Sequence, residues 1–131
     1  IVVTAQEVLT ESDAPSLMRS AEKLSPKLIS KFCDQGDELA IEVYRRTGFM
    51  LGLGLANYAS VVNPEAFVFT GGIAKAGDWL LDPMQETFEK YVYKNMQGKT
   101  KFLVSELDED NHDVLGASVL AWEVKEYSLF K

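Results

Sequence analysis

Apolar residues recur at helical spacing through the first third of the chain. Residues 2–9 predict the end of a helix, and residues 17–24 predict one or two helical turns after a polar turn at 10–15. The segment SPKLISKFCDQGD carries a stronger helix signal. Ser25 can cap this helix, the proline after it suits the first helical position, and Gly36 can end it in a left-handed conformation.

A long helix is predicted next, with Asp37 in position to cap it and an end near residue 62. Its second half is apolar nearly all round, which is typical of a helix covered on several sides. Small residues occupy every fourth position of this half: Gly48, Gly52, Ala56 and Ser60. Because glycine inside a helix costs about 0.5–1 kcal/mol relative to alanine, this stripe predicts close approach by another backbone or by a flat ligand, and tight packing on a sheet is the plainer of these interpretations.

The second half of the chain alternates between strands and helices. After Asn63 and Pro64 end the long helix, the run AFVFT at residues 66–70 has the unbroken apolar character of a strand buried on both faces. Gly71 and Gly72 stop this strand. A plain strand-to-helix turn and a binding site are both compatible with such a glycine pair.

Two helical segments and a second strand are predicted after the glycine pair. Asp78 can cap one helical turn, and Asp82, followed by proline, can start a separate helix that Gly98 ends. Residues 101–107 predict the second strand, and Asp113 can cap a final helix. The predicted apolar face of the helix after Asp82 consists of Met84, Phe88, Tyr91 and Val92.

This order of elements predicts an α/β fold that is rich in helices and contains few, parallel strands. We treat residues 1–131 as a single partial domain, with a helical subregion at 1–36 and a helix–strand–helix–strand–helix core at 37–131. Two strands alone do not make the sheet of such a domain, and the chain begins at Ile1 without a methionine. The chain is therefore expected to be a fragment of a larger protein.

The glycine pair is the strongest candidate for a binding site. A parallel strand that ends at Gly71 and Gly72 would place them at the carboxyl edge of the sheet, where ligands of open α/β sheets bind. Glycine permits positive φ and lets a planar base or ribose lie against the main chain, and free N–H groups there can contact an anion.

Composition narrows the classes of partner. Twenty acidic against thirteen basic residues give a net charge of −7, which opposes a phosphate backbone and argues against nucleic-acid binding by this segment. The longest run of low polarity has 14 residues, too few to span a bilayer, and no basic amphipathic helix is available for a membrane surface. The single cysteine, Cys33, excludes an internal disulfide and fits a reducing compartment such as the cytoplasm.

The ordered motifs resemble a signature near the C-terminus of the ROK family of repressors, open reading frames and sugar kinases. NPEAFVFTGGIAKAGDWLLDPMQE, residues 63–86, resembles the family's Asn-Pro helix end, apolar strand, Gly-Gly turn and Leu-Leu-acid-Pro helix start. QGDELAIEVY at 35–44 resembles its Gly-Asp-x-x-Ala helix start, and HDVLGASVLA at 112–121 resembles its closing Leu-Gly-Ala-Ala helix. The resemblance covers roughly residues 35–122.

The resemblance implies the actin-like ATPase fold with hexokinase-type, ribonuclease H-like topology, of which this chain would be most of the C-terminal lobe. In that fold the Gly-Gly turn belongs to the adenosine site for ATP, so Gly71, Gly72 and Ile73 are the expected nucleotide-contacting residues. Small residues of the neighbouring helix are expected to wall the base. The implied parent protein is a cytoplasmic, ATP-dependent and Mg-dependent hexose kinase of the glucokinase type, with self-association expected.

Other motifs of glucokinase-like members do not occur in the sequence: the Asp-x-Gly-Gly phosphate loop, the catalytic aspartate, and the zinc segment with its sugar-binding glutamate. The zinc site is expected upstream of this chain, since Cys33 and His112 cannot replace it. No catalytic or metal-binding residue is assigned here. The fragment alone is predicted to be inactive, because phosphoryl transfer requires an aligned nucleophile and metal-assisted charge neutralisation.

Two alternative functions remain open. One is the sugar-sensing lobe of a ROK transcriptional repressor, which shares this region but carries an N-terminal helix-turn-helix. The other is an unrelated helical interaction module, which the two strands and the glycine turn argue against. Cys33, Trp79 and Trp122 are interpreted as packing residues, Lys75 as a solvent-facing lysine, and His112 as a residue at the start of a helix.

Overall fold

The computed structural model describes residues 1–74, 76–105 and 117–118, apart from the side chains of residues 73 and 74. The helices are α1 (Val2–Glu11), α2 (Pro26–Asp34), α3 (Glu38–Val62), α4 (Gly71–Ala74) and α5 (Asp78–Tyr91). The strands are β1 (Ala66–Phe69) and β2 (Lys101–Val104), and short 3₁₀ helices lie at Leu17–Ser20 and Lys94–Met96. The helix predicted from Asp113 falls outside the described residues.

Helix α2 begins and ends as its sequence predicts. The Ser25 side chain accepts a hydrogen bond from the backbone N–H of Leu28 at 3.2 Å, and Pro26 occupies the first turn, where its missing N–H costs nothing. Beyond the helix, Gly36 has φ +83°, the left-handed conformation that glycine adopts without strain. These local signals define α2 on their own.

Asp37 caps α3 and also holds the preceding segment against it. Its Oδ1 accepts from the N–H groups of Leu39 and Ala40 at 3.1 and 3.2 Å. Its Oδ2 accepts from the Ser16 hydroxyl and the Leu17 N–H, both at 2.7 Å. Asp37 as a whole is 8% exposed, and these four hydrogen bonds are what permit the burial of its charge.

The two glycines of the small-residue stripe of α3 pack against helix α5, whereas Ala56 of the same stripe lies in the cluster that includes side chains of β1 and β2. The backbone that approaches the glycines closely is therefore a helix and not a sheet. A Cβ added at Gly48 would stand 2.7 Å from Cγ of Pro83, and one at Gly52 would stand 2.5 Å from the carbonyl oxygen of Met84. Glycine at these positions lets the two helix backbones approach more closely than any side chain would allow.

The separate helix predicted to start at Asp82 is wrong, because α5 is continuous from Asp78 to Tyr91. The carbonyl of Gly77 already accepts from the N–H groups of Leu80 and Leu81, so the first turn forms ahead of the proline. Pro83 forfeits one backbone hydrogen bond inside the helix. Its ring packs in the space that Gly48 leaves open.

The end of α5 also differs from the prediction. The chain leaves the helix at Val92, which has φ −70° and ψ 153°, well before Gly98. Gly98, with φ +70°, instead follows the 3₁₀ helix Lys94–Met96 and leads into β2. The Glu89 side chain accepts from the Gly98 N–H at 3.0 Å and ties this turn back to α5.

The two strands pair in parallel, as predicted, with Phe67 opposite Phe102. Both rings pack edge-on to Phe88 of α5, with centroid distances of 5.8 and 5.0 Å. On the opposite face, Val68 is 59% and Leu103 is 47% exposed. The predicted burial of β1 on both faces is therefore wrong for the described part of the chain, because the described helices pack on one face only.

Candidate functional site

The glycine pair lies at the carboxyl end of β1, separated from it only by Thr70. The pair begins a one-turn helix, α4, and not an irregular turn, and Ile73 belongs to the same turn. Gly71 has φ +68°, a left-handed conformation that a side chain would strain. This position therefore requires glycine for the backbone path alone, whatever binds there.

The space in front of the glycine pair is open. A Cβ built on either Gly71 or Gly72 has no heavy atom of the described residues within 4 Å, and Gly72 is exposed. Gly72 differs from Gly71 because its φ lies outside the left-handed range, so its backbone conformation does not demand glycine. Here the missing side chain leaves room for another molecule against the main chain.

Gly72 faces helix α2 across a groove of about 660 Å³, a volume in the usual range of small-molecule sites. The residues that line the groove come from α2 and its cap, from α3, and from the segment after β1: Ser25, Pro26, Lys27, Ser30, Lys31, Tyr44, Gly72 and Ala76. Gly72 lies on one side of this groove. We call Gly71 and Gly72 together the glycine corner, and no side chain of the pair covers that side. The opposite side of the groove is the basic helix α2.

Tyr44 forms the fixed floor of this groove. It is 1% exposed, and its hydroxyl donates a 2.8 Å hydrogen bond to the carbonyl of Pro26. Burial raises the pKa of Tyr44 to about 12, with the neighbouring Cys33 adding to the effect. The phenol therefore stays neutral and anchors the start of α2 to α3.

Cys33 is a buried packing residue, as predicted, and not a nucleophile. It is 1% exposed. Burial, followed by the charges of Asp34 and Asp37, raises the pKa of its thiol to about 11. A thiol that holds its proton at neutral pH and has no access to solvent is unreactive.

The expectation that small residues of α3 wall the base does not hold for Gly48 and Gly52, because α5 occupies the space in front of both. The wall of the groove opposite Gly72 is instead α2, which was not predicted to line a site. One feature of the sequence could have indicated this wall. The spacing of Lys27, Ser30 and Lys31 puts three polar groups on one face of a short amphipathic helix.

Other residues considered from the sequence lie apart from this groove or outside the described residues. Trp79 is 38% exposed, and its indole N–H donates to Asp34 at 2.8 Å, consistent with a partly buried packing role. Lys75, His112 and Trp122 fall among the residues that the structure does not describe. Within the described ranges, no group of histidine, cysteine and carboxylate side chains could hold a metal ion.

No helix in the described part of the chain is both long enough and apolar enough to span a membrane.

Comparison with known proteins places these features in a family. The sequence profile of the ROK family matches residues 6–124. The glucokinase of Halalkalibacterium halodurans is 33% identical over 125 residues, which are 93% of this chain and 37% of that protein. The chain therefore spans little more than a third of the length of this relative.

A solved structure and a regulator extend the comparison. The ROK family glucokinase of Streptomyces griseus, solved in complex with glucose and AMPPNP, superimposes with a TM-score of 0.60 at 27% identity, covering 81% of this chain and 33% of that one. The xylose repressor of Bacillus subtilis is 28% identical over 103 residues, which are 79% of this chain and 27% of the repressor. The helix-rich actin-like ATPase fold with a small parallel sheet is confirmed.

Proposed function

The chain belongs to the ROK family, and we propose that it is the C-terminal part of an ATP-dependent sugar kinase of the glucokinase type. Its similarity to glucokinases, one of them solved with a sugar and an ATP analogue, supports this proposal. In this proposal the chain supplies the adenosine side of the ATP site, through Gly71, Gly72 and Ile73.

The observation that carries the proposal is the open glycine corner at the end of a parallel strand. Main chain without side chains at Gly71 and Gly72 offers a flat surface and N–H groups, and nothing in the described residues fills the space in front of it. The carboxyl ends of parallel strands are where open α/β sheets bind nucleotides. A purine nucleoside fits both the shape and the chemistry of this corner.

When bound, ATP with Mg supplies the phosphoryl group, while this chain's contribution is to position the nucleoside. The main chain of Gly71 and Gly72 would lie against the purine or ribose, and the apolar floor around Tyr44 would exclude water from one side. Positioning is a large part of phosphoryl transfer, but alignment of the acceptor hydroxyl requires further groups. We therefore expect the 131 residues alone to bind nucleotide without turning it over.

The remaining properties of the parent protein are also part of the proposal. They are a hexose acceptor, a zinc site upstream of this chain, a cytoplasmic location and self-association. The acidic net charge of −7 argues against nucleic acid as a partner of this segment.

A second candidate function is the sugar-sensing lobe of a ROK repressor, which the similarity to the xylose repressor supports. The two functions differ in the sequence that would precede this segment. A phosphate loop there would support the kinase, and a helix-turn-helix would support the repressor. Nucleotide binding by this chain also separates them, because only the kinase requires the adenosine site.

Titration of the chain with adenosine, followed by calorimetry, tests the adenosine site. Gly72→Leu puts a side chain into open space at a φ that any residue adopts, so it should weaken adenosine binding at least tenfold while leaving the melting temperature unchanged. Gly54→Leu is the matched control, since Gly54 is also an exposed glycine with no heavy atom near its Cβ position but lies in α3, outside the groove.

Equal adenosine affinity in the Gly72→Leu and Gly54→Leu variants would contradict the proposal. Measurable ATP-dependent phosphorylation of a sugar by the isolated chain would contradict its predicted inactivity.

A further inference from the structure

Helix α2, one wall of the groove that contains Gly72 (the Gly72 groove), is short and lies at the surface. It has nine residues, Pro26–Asp34, and its side chains at Lys27 and Lys31 are exposed. An isolated helix of this length is marginal in water, so the position of α2 depends on its contacts with the rest of the chain. The width of the Gly72 groove therefore depends on whatever holds α2 in place.

Side-chain hydrogen bonds hold both ends of α2. At its start, the Tyr44 hydroxyl of α3 donates to the carbonyl of Pro26 at 2.8 Å. At its end, the carboxylate of Asp34, the last residue of the helix, accepts from the indole N–H of Trp79 at 2.8 Å. Trp79 belongs to the first turn of α5 and lies 45 positions further along the chain. The second hydrogen bond therefore ties α2 to the start of α5.

The hydrogen bond between Asp34 and Trp79 stands behind the wall of the Gly72 groove. Ala76 is 7% exposed and packs in a buried cluster with residues of α2. Ser30 and Ala76 line the Gly72 groove on one side and a second groove, of about 700 Å³, on the other. Asp34 and Trp79 line the second groove and not the first. Neither of them would therefore touch a molecule bound at the glycine corner.

We propose that Asp34 and Trp79 are positioning residues, which hold α2 across from the glycine corner at the spacing that a nucleoside requires. This inference rests on the proposed adenosine site and adds two residues that act on it through α2, without contact with the ligand. In the absence of their hydrogen bond, packing alone would hold the last turn of α2. Fewer molecules would then have the wall in place, and the apparent affinity for the nucleoside falls with that fraction.

Calorimetric titration of the full 131-residue chain with adenosine tests the pair. Trp79→Phe keeps an aromatic ring and removes the N–H donor, and Asp34→Ala removes the acceptor. Each substitution should weaken adenosine binding about threefold, which corresponds to a fall of the binding-competent fraction to about a third. The double variant should bind no more weakly than either single variant, because both substitutions remove the same hydrogen bond. Asp34→Asn keeps an acceptor oxygen and should keep most of the affinity.

Gln97→Ala is the matched control for the loss of a hydrogen bond. The Gln97 side chain also makes an exposed hydrogen bond of 2.8 Å, to the carbonyl of Glu89, and it lines neither groove. Its removal should leave the adenosine affinity unchanged. Melting temperatures measured on the same variants separate a structural role from a positioning role, because a purely structural hydrogen bond would lower the melting temperature and leave the adenosine affinity as it was.

The outcomes distinguish this inference from the proposed function. If Gly72→Leu weakens adenosine binding but Asp34→Ala and Trp79→Phe bind as tightly as the unmodified chain, the positioning role is wrong and the adenosine site stands. The positioning role is also wrong if Asp34→Asn binds as weakly as Asp34→Ala, or if Gln97→Ala loses as much affinity as they do. If the unmodified chain does not bind adenosine, both proposals fail.

Discussion

Replacing Gly52 with alanine tests the helix pair that shapes this fold. Gly52 lies where α3 crosses α5, and a Cβ there would stand 2.5 Å from the carbonyl oxygen of Met84 and 2.7 Å from Cβ of Thr87. Main-chain atoms cannot rotate away as the tip of a side chain can. The two helices must therefore move apart to admit a single methyl group.

The magnitude follows from two opposing terms. Alanine gains about 1 kcal/mol over glycine in a helix interior. Forcing extra volume into a packed contact costs about 1–3 kcal/mol, and the backbone contact at Gly52 puts it at the upper end of that range. We expect Gly52→Ala to lower the free energy of unfolding by about 2 kcal/mol. Gly54→Ala, on the exposed side of the same helix, should raise it by about 1 kcal/mol.

Urea denaturation followed by circular dichroism measures both variants against the unmodified chain. The two substitutions are chemically identical and two residues apart, so propensity and the unfolded state affect them alike. The expected difference of about 3 kcal/mol between them then reports only the contact with α5. A Gly52→Ala variant as stable as Gly54→Ala would refute the close packing of the two helices.

Two further predictions concern side chains that hold the N-terminal helices in place. Asp37→Ala should lower the free energy of unfolding by about 2–3 kcal/mol in urea denaturation. The substitution removes the α3 cap and the two hydrogen bonds to residues 16 and 17. As a control, Asp13→Ala at an exposed position should change the free energy of unfolding by less than about 0.5 kcal/mol. The hydrogen bond from Arg45, followed by that from Arg46, lowers the pKa of Glu42 to about 2, so the stabilisation it provides is present above about pH 4.5 and is lost as the pH falls toward 2. Glu42→Gln should reduce the decrease in stability between pH 5 and pH 2.5, and an unchanged pH profile would contradict this role.

Local structure was determined by the sequence itself. The Ser25 and Asp37 caps, the proline after Ser25 and the left-handed Gly36 each act through hydrogen bonds or dihedral limits within a few residues, so α2 and the start of α3 follow from their own segments. The parallel pairing of β1 and β2 was indicated by the order strand–helix–strand, because a helical crossover joins parallel neighbours. The glycine pair was also evident from the sequence, because an apolar run that stops at Gly71 and Gly72 marks the end of a strand in any fold.

Tertiary structure decided what these elements pack against. The stripe of α3 specified a close approach but not its partner, since a sheet, a helix and a ligand would all accept Gly48 and Gly52. Pro83 is accommodated inside α5 because its ring packs in the space that Gly48 of α3 leaves open. The sequence around Pro83 does not show that such a space exists, because Gly48 is far away in the chain. The basic wall of the groove was hidden for a similar reason, because Lys31 and Gly72 are 41 positions apart and meet only once α2 and the end of β1 pack around Tyr44. Contacts of this range depend on how whole helices fit together, which no local pattern encodes.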